Sequence, residues 1–479
     1  MKRFIEGECR TQAVLFPERL DDWIGEDNPV RAVEAFVGEI DFKALGFESA
    51  EPADTGRPAY HPATLLKIYI YGYLNRLQSS RRLEREAQRN VELMWLTERL
   101  APDFKTIADF RRDNGPAIRQ VCVQFVRLCR QLGLFEQALV AIDGSKFKAV
   151  NNRDKNFTPR KLEARKQQLE TSVERYLAEL DRADRDPALV PEKRVEQLKE
   201  KIAKVRAQMK VLDSMDERLT TSPDDQVSLT DPDARSMATS GRGTGIVGYN
   251  VQASVDATNH LIVTHEVTNV GHDRTQLAAM AQKTQEAIGS ASLTVLADRG
   301  YYKGPELLKC EDAGIDTVVP KPLTSNSKAD GRFDKRDFTY DAASDEYRCP
   351  AGERAVWRFS TIEDDMTLHK YWSSACPKCP MRDACTTAKY RRIGRWEREE
   401  VFDRVQQRLD RMPEAGRIRR QTVEHTFGTL KAWMGATHFL TKTIPRVKTE
   451  MSLHVLAYNL KRVMQIVGVR PLIQAIRAC

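Results

Sequence analysis

The sequence predicts an α/β protein: a mixed five-stranded sheet with helices, preceded by an all-helical N-terminal region. A helical hairpin and a cysteine-rich segment interrupt the sheet. Three observations predict this. Helical periodicity fills residues 1–135, short apolar runs recur between 138 and 319, and two segments of contrasting composition separate those runs from the last helices. The chain has 479 residues, enough for about three structural units at roughly 100–200 residues each. Charged residues are 30% and hydrophobic ones 41%, which argues against a long disordered chain. Lys and Arg number 76 against 68 Asp and Glu, a net charge of +8 that by itself points to no partner. The most apolar early stretch, Leu65–Leu74, contains Lys67 and is too short to span a bilayer. No signal-peptide pattern opens the chain. Nine cysteines, an odd number without such a signal, argue against a disulfide scaffold. The expectation is a soluble cytoplasmic protein with no membrane contact.

The N-terminal helices are read in order. Pro62 starts a run over Ala63–Leu77 with Leu65, Ile68, Tyr69 and Tyr73 at helical spacing. Ser79-Ser80 offers a cap for Arg81–Trp95, which carries Arg81, Arg82, Arg85 and Arg89 on one side. Asp103 caps Phe104–Arg112, and Ile118–Leu132 forms a fourth helix. Short capped helices with clustered arginine suit a DNA-binding unit of helix-turn-helix type. A solvated basic face on a helical bundle fits those residues equally well.

The period then changes. Ala138–Ile142 reads as a buried strand ending at Asp143-Gly144. Residues 161–213 are long helices, with Val195, Leu198, Ile202, Val205, Met209 and Leu212 spaced as a heptad seam. Leu162, Leu169, Val173, Tyr176 and Leu180 make a looser partner, and Asp186-Pro187 with Pro191 break the helix between them, so an antiparallel hairpin is expected. Strands follow at Gly248–Val255 and Leu261–Val267, then a helix over Thr275–Ile288, a strand at Leu293–Ala297 ending in Asp298, and a strand at Thr317–Val319. Residues 325–400 show no convincing long helix, whereas the chain from Val401 is helical and basic, closing in an amphipathic helix over Met451–Val467. Three strands, a helix, a strand, a helix and a last strand is the element order of an RNase H-like α/β core.

Asp143 and Asp298, each placed at a strand end, form the first half of a metal site, because hard divalent cations take oxygen ligands held rigidly side by side. The third carboxylate is Glu424, in the run Arg420 to Lys431; on a helix Arg420, Glu424 and Lys431 fall near one face, offering a carboxylate to metal and two cations to phosphate. Taken singly, strand-end aspartates are also common caps and turn residues. Taken together with their neighbours, these residues resemble an insertion-sequence DDE transposase of the branch with a Tyr-Arg-Glu-Lys signature. Its first motif matches Ala-Ile-Asp143-Gly144 and its second Asp298-Arg-Gly300-Tyr-Tyr302. The third has the family spacing from Arg420 through Glu424 to Lys431, with Arg417 where the signature tyrosine is expected. The likeness takes in the Gly56-Arg-Pro-Ala-Tyr-His-Pro62 segment and the N-terminal helices.

The resemblance implies phosphoryl transfer on DNA with Mg²⁺, for which Mn²⁺ substitutes: hydrolysis at an element end frees a 3′-OH that then attacks a target phosphodiester. Asp143, Asp298 and Glu424 would be the ligands, with Arg420, Lys431 and Arg417 holding phosphate. Arg81, Arg82, Arg85 and Arg112 would grip double-stranded terminal inverted repeats. Target DNA is the second partner, and joining two ends implies at least a homodimer, nucleoid-associated in a bacterial cell.

Cys349, Cys376, Cys379 and Cys385 lie in one segment; Cys376-Pro-Lys-Cys379 has a zinc-knuckle gap, and a structural Zn²⁺ would hold a segment with little core of its own. Buried free thiols are the plain alternative. Cys9, Cys122, Cys129, Cys310 and Cys479 show no such spacing. His425 beside Glu424 reads as a structural histidine. The resulting division is 1–135 for DNA ends, 136–324 with 401–479 for the RNase H-like catalytic core, 155–220 as the helical-hairpin insertion and 325–400 as the cysteine-rich one. The rivals are a nuclease acting by hydrolysis alone, a DNA-binding protein derived from a transposase without catalysis, and a zinc and coiled-coil scaffold.

Overall fold

The computed structural model describes residues 19–52, 54–55, 58–151, 156–185, 192–220, 224–238, 245–322 and 330–478. Cys9, Cys479, Gly56-Arg57 and the helix breakers Asp186, Pro187 and Pro191 lie outside them. Among the described residues six α-helices precede the first strand: α1 (Pro29–Gly38), α2 (Pro62–Leu74), α3 (Ser80–Ala87), α4 (Val91–Leu96), α5 (Phe104–Asp113) and α6 (Gly115–Gln131). Their starts follow local chemistry. Asn28 and His61 each accept an amide proton just before a proline-led first turn, and Asp103 accepts from Lys105 N and Thr106 N. The single helix expected over Arg81–Trp95 is two, because Asn90 accepts from Leu93 N and starts α4 afresh.

The central sheet is built from β1 (Leu139–Lys148), β4 (Arg235–Met237), β5 (Ile246–Asp256), β6 (Ile262–Thr268), β7 (Leu293–Leu296) and β8 (Ile315–Val318), while β2 (Asn156–Phe157) pairs with β3 (Val227–Ser228) apart from it. Its order is β4-β5-β1-β7-β8, with β6 also on β5; the short β4 makes it six-stranded where five were expected. β5 runs antiparallel to β1 and β6, and β1, β7 and β8 are mutually parallel. Asp143 faces Ala253 in mid-strand and does not end β1, since pairing with β5 continues to Lys148. The polar run after Asp143 finds partners across the sheet, so its polarity does not stop the strand.

Helices α7 (Pro159–Arg185) and α8 (Glu192–Thr220) pack against each other above the β2–β3 pair. Phe157, Leu162, Leu169, Leu212, Met215, Leu219 and Val227 form a small core of their own there. α9 (Leu277–Ile288) and α10 (Gly304–Asp312) follow β6 and β7.

Residues 330–400 hold a second, antiparallel sheet of five strands, β9 (Thr339–Asp341), β10 (Glu346–Arg348), β11 (Arg354–Glu363), β12 (Met366–Trp372) and β13 (Ile393–Trp396). Most of β11 is exposed, so no alternation marks it in the sequence. Its turn into β12 is Asp364-Asp365, both at positive φ (49° and 62°), as a tight hairpin turn requires.

The chain closes with α11 (Glu399–Arg411), α12 (Ala415–Gly428), a π-turn over Thr429–Trp433, α13 (Ile444–Val467) and α14 (Val469–Ala478). α13 is longer than the Met451–Val467 helix expected and is not amphipathic there: Met451 to Leu460 are all buried. The reason is its surroundings, for α2 and α6 cover one side and β6 the other. One hydrophobic core therefore runs from Ile24 to Ile476, joining the N-terminal helices to the sheet. Among the described residues no helix is long and apolar enough to cross a membrane.

Candidate active site

Adjacent parallel strands bring two carboxylates together. Asp143 stands on β1, and Asp298 follows β7 directly, capping a short turn by accepting from Gly300 N at 2.7 Å. Between them lies a guanidinium from α12: Arg419 Nη2 is 2.8 Å from Asp143 Oδ2 and 3.7 Å from Asp298 Oδ2. Burial pushes Asp143 up to about 6; Arg419 pulls against that, and Asp298 adds to it. Asp143 Oδ1 also accepts from Gly144 N at 2.9 Å.

Gly144 is glycine for want of room. A Cβ there would overlap Gln252 Nε2 and Asp273 Oδ1 on the α9 side of the sheet. Asn250 Nδ2 (2.8 Å) and Gln252 Nε2 (2.7 Å) both donate to Asp273 Oδ1, and the Tyr301 hydroxyl donates to Gln252 Oε1. Lys146 Nζ is 3.6 Å from Asp273, and burial pulls its pKa down. Sequence reasoning missed this network; its signal was two amides, Asn250 and Gln252, at alternate positions of an otherwise apolar strand.

Glu424 and Arg420 are exposed on α12 and make no hydrogen bond or ion pair among the described residues. Glu424 lies five positions after Arg419, about 140° around a helix, so the helix face that meets the aspartates carries Arg419. Arg417 is exposed and donates to Gln421 Oε1 at 3.3 Å. Lys431 does not share the face of Glu424 as expected, because the π-turn changes the helical phase. Its ammonium donates to Ser145 Oγ (2.7 Å) and Lys146 O (2.9 Å) and sits over the Phe147 ring, and burial lowers its pKa. His425 packs edge-on against His260 with ring centroids 5.3 Å apart.

Of the N-terminal arginines, Arg81, Arg82 and Arg85 are exposed on α3, with Arg81 over the Phe104 ring. Arg112 is held by Asp109 and Asp113, and Arg89 by Glu86. Cys349, Cys376, Cys379 and Cys385 converge, with Phe338 and Met381, around a hollow of about 30 Å³. Burial raises the Cys385 thiol, and the other three thiols raise it further. Among the described residues, no three His, Cys, Asp or Glu side chains stand in a geometry that could hold a metal ion, here or at Asp143. Cys122, Cys129 and Cys310 are buried free thiols in the main core.

Residues 18–113 match the family described as a transposase domain (DUF772), and residues 210–460 match the transposase DDE domain. The second match spans more than half of the chain, which belongs to the DDE transposase family. No curated protein matches the sequence. Among solved structures, the chain is similar to a piggyBac transposase synaptic complex with hairpin DNA, studied by cryo-EM. The identity is 9% and the TM-score 0.32, over 94% of this chain and 79% of that one.

Proposed function

We propose that this chain is a DNA transposase that binds terminal inverted repeats and carries out divalent-metal-dependent strand cleavage and strand transfer. The observation that carries the reading is the pair Asp143 and Asp298, brought from adjacent parallel strands onto one cationic nitrogen. Two carboxylates already bridged by a cation fit a Mg²⁺ or Mn²⁺ ion, whereas Glu424 stands apart and is assigned as third ligand on motif spacing alone. When bound, such ions supply Lewis acidity to an in-line displacement at phosphorus. The strand order β6-β5-β1-β7-β8, antiparallel then parallel, supports an RNase H-like core.

The chain's own residues supply the rest. Arg420, and Arg417 once it leaves Gln421, would meet phosphate from the exposed side of α12, and Lys431 holds the Ser145 hydroxyl and the Lys146 carbonyl two and three residues beyond Asp143. Residues 1–135 would hold the ends through Arg81, Arg82 and Arg85. Residues 155–220 and 325–400 are the two insertions in the 136–324 and 401–479 core, and Cys349, Cys376, Cys379 and Cys385 of the second would hold a structural Zn²⁺ only by drawing closer together than they stand here. Two ends imply a homodimer at least, acting in the cytoplasm on nucleoid DNA.

The test is incubation with linear duplexes carrying the DNA that flanks the gene on either side, with Mg²⁺. Cleavage at a repeat boundary followed by joining to a second duplex is expected. Cleavage without joining would assign hydrolysis only, and neither product would remove the catalytic reading.

A further inference from the structure

Among the described residues Arg419 is the one side chain that pairs with both aspartates, and nothing in the family spacing picks it out. Its side chain is only 16% exposed. A guanidinium has five donors in a fixed fork, and here Nη2 reaches the two carboxylates while Nε is buried without a hydrogen-bond partner among the described residues. The arrangement is thus built around charge and not around a saturated hydrogen-bond set. Two carboxylates held this close repel each other unless a cation lies between them. In this chain that cation is part of α12. The phase of the helix puts it there: Ala415, Thr422, Val423, Thr426 and Phe427 are the buried stripe, and Arg419 lies along it, three and four residues before Thr422 and Val423.

A magnesium-sized ion binds carboxylate oxygen at about 2.0–2.1 Å. A divalent ion held by Asp143 and Asp298 would compete with Arg419 for the same two carboxylates, and the two positive charges would repel. The two occupants exclude one another. We propose that Arg419 is a positioning residue that holds Asp143 and Asp298 together while the site is metal-free, and that a divalent cation displaces it. Released, the guanidinium joins Arg417 and Arg420 on the exposed part of α12, where the chain meets phosphate. This rests on the reading of the aspartate pair as a divalent-cation site.

The test measures Mn²⁺ binding to the full chain without DNA, by calorimetry and by thermal melting, for the unchanged protein, R419Q, R419K and D143N. Without metal, R419Q should melt lower, because the carboxylates lose their counter-ion. It should bind Mn²⁺ about tenfold more tightly, as expected when a competing group is removed, and show a larger metal-induced rise in Tm. R419K, which keeps the charge and loses the fork, should fall between. If R419Q does not fold, R419K alone carries the comparison, and tighter binding than in the unchanged chain is still required. Equal or weaker Mn²⁺ binding in the Arg419 variants would overturn the displacement while leaving the metal reading intact. No binding in any variant, with D143N indistinguishable from the rest, would overturn both.

Discussion

His454 lies fully buried with its ring edge-on to Tyr73 at 4.5 Å, and burial, aided by the charge of Arg111, holds its pKa down to about 3. Burial likewise holds His265 down to about 4, against the pull of Glu266. In the unfolded chain both imidazoles take a proton near pH 6.5. Because the folded values are depressed, this contribution is whole above about pH 6.5 and is lost as pH falls towards 4 and then 3. The loss runs at up to about 1.4 kcal/mol per pH unit per histidine. Urea unfolding at pH 7 and pH 4.5 should show it, and His454→Leu should flatten the slope by about half; an unchanged slope would mean the imidazole is charged in the folded state. At the site, Asp143→Asn, Asp298→Asn and Glu424→Gln should each lower strand cleavage by roughly a hundredfold or more while end binding stays within a few-fold. Gel-shift and cleavage assays on the same duplex separate the two effects, and full activity in any variant would exclude that residue. That Asp143 and Asp298 stand side by side was legible because each follows an apolar run that forms a strand, although singly such a run followed by Asp marks a cap or turn as readily. Arg419 was not, since choosing it over Arg420 needs the helical phase, which Val423 and Phe427 set only by packing on the sheet.

Among the elements, the five-stranded β9–β13 sheet gave the weakest sequence signal. Its own small core is Phe338, Tyr347, Ala355, Tyr371 and Ile393, and although Met366, Leu368 and Trp396 pack on the main core, the part that bears the cysteines has little to order it without help. If Zn²⁺ supplies that help, Cys379→Ser or a chelator should open residues 330–400 to protease while the main core stays folded. Metal content near zero in reduced, purified protein would refute it. The α3 helix carries a different expectation. Arg81, Arg82 and Arg85 are exposed, so replacing each with Ala should lower the slope of log affinity against log salt by about one unit. Arg112, already held by Asp109 and Asp113, should change that slope less. If Arg112→Ala moves it as much as Arg82→Ala does, those ion pairs open on DNA. The helix hairpin of α7 and α8 was readable from its heptads because it packs mainly on itself; β11 was not, because its pairing partners are all that define it.

Across the whole molecule, α13 is the shared centre. Asn459 shows how tightly it is tied in: its side chain accepts from Ile262 N at 2.9 Å and donates to Ile262 O at 2.8 Å, wholly buried. Asn459→Ala leaves both backbone groups unmet and should cost about 1–3 kcal/mol, seen as a lower urea midpoint with an unchanged m-value. A neutral result would require water at the vacated place. The sequence periodicity could not show a helix buried on all sides, because periodicity reports a boundary between water and core, and from Met451 to Leu460 there is none.

That central helix also has a consequence in time. Gln78 hydrogen-bonds Met434 across 356 positions, and α1 packs on α14, the last helix described. A ribosome delivers α1, α2 and α6 well before their centrepiece. While everything between is being made, Tyr73 waits without the His454 ring that later packs on it, and nascent chains that leave apolar surface open in this way are prone to aggregate or to need a chaperone. Translation halted before Ile444 would release a chain whose first helices had only one another to close upon.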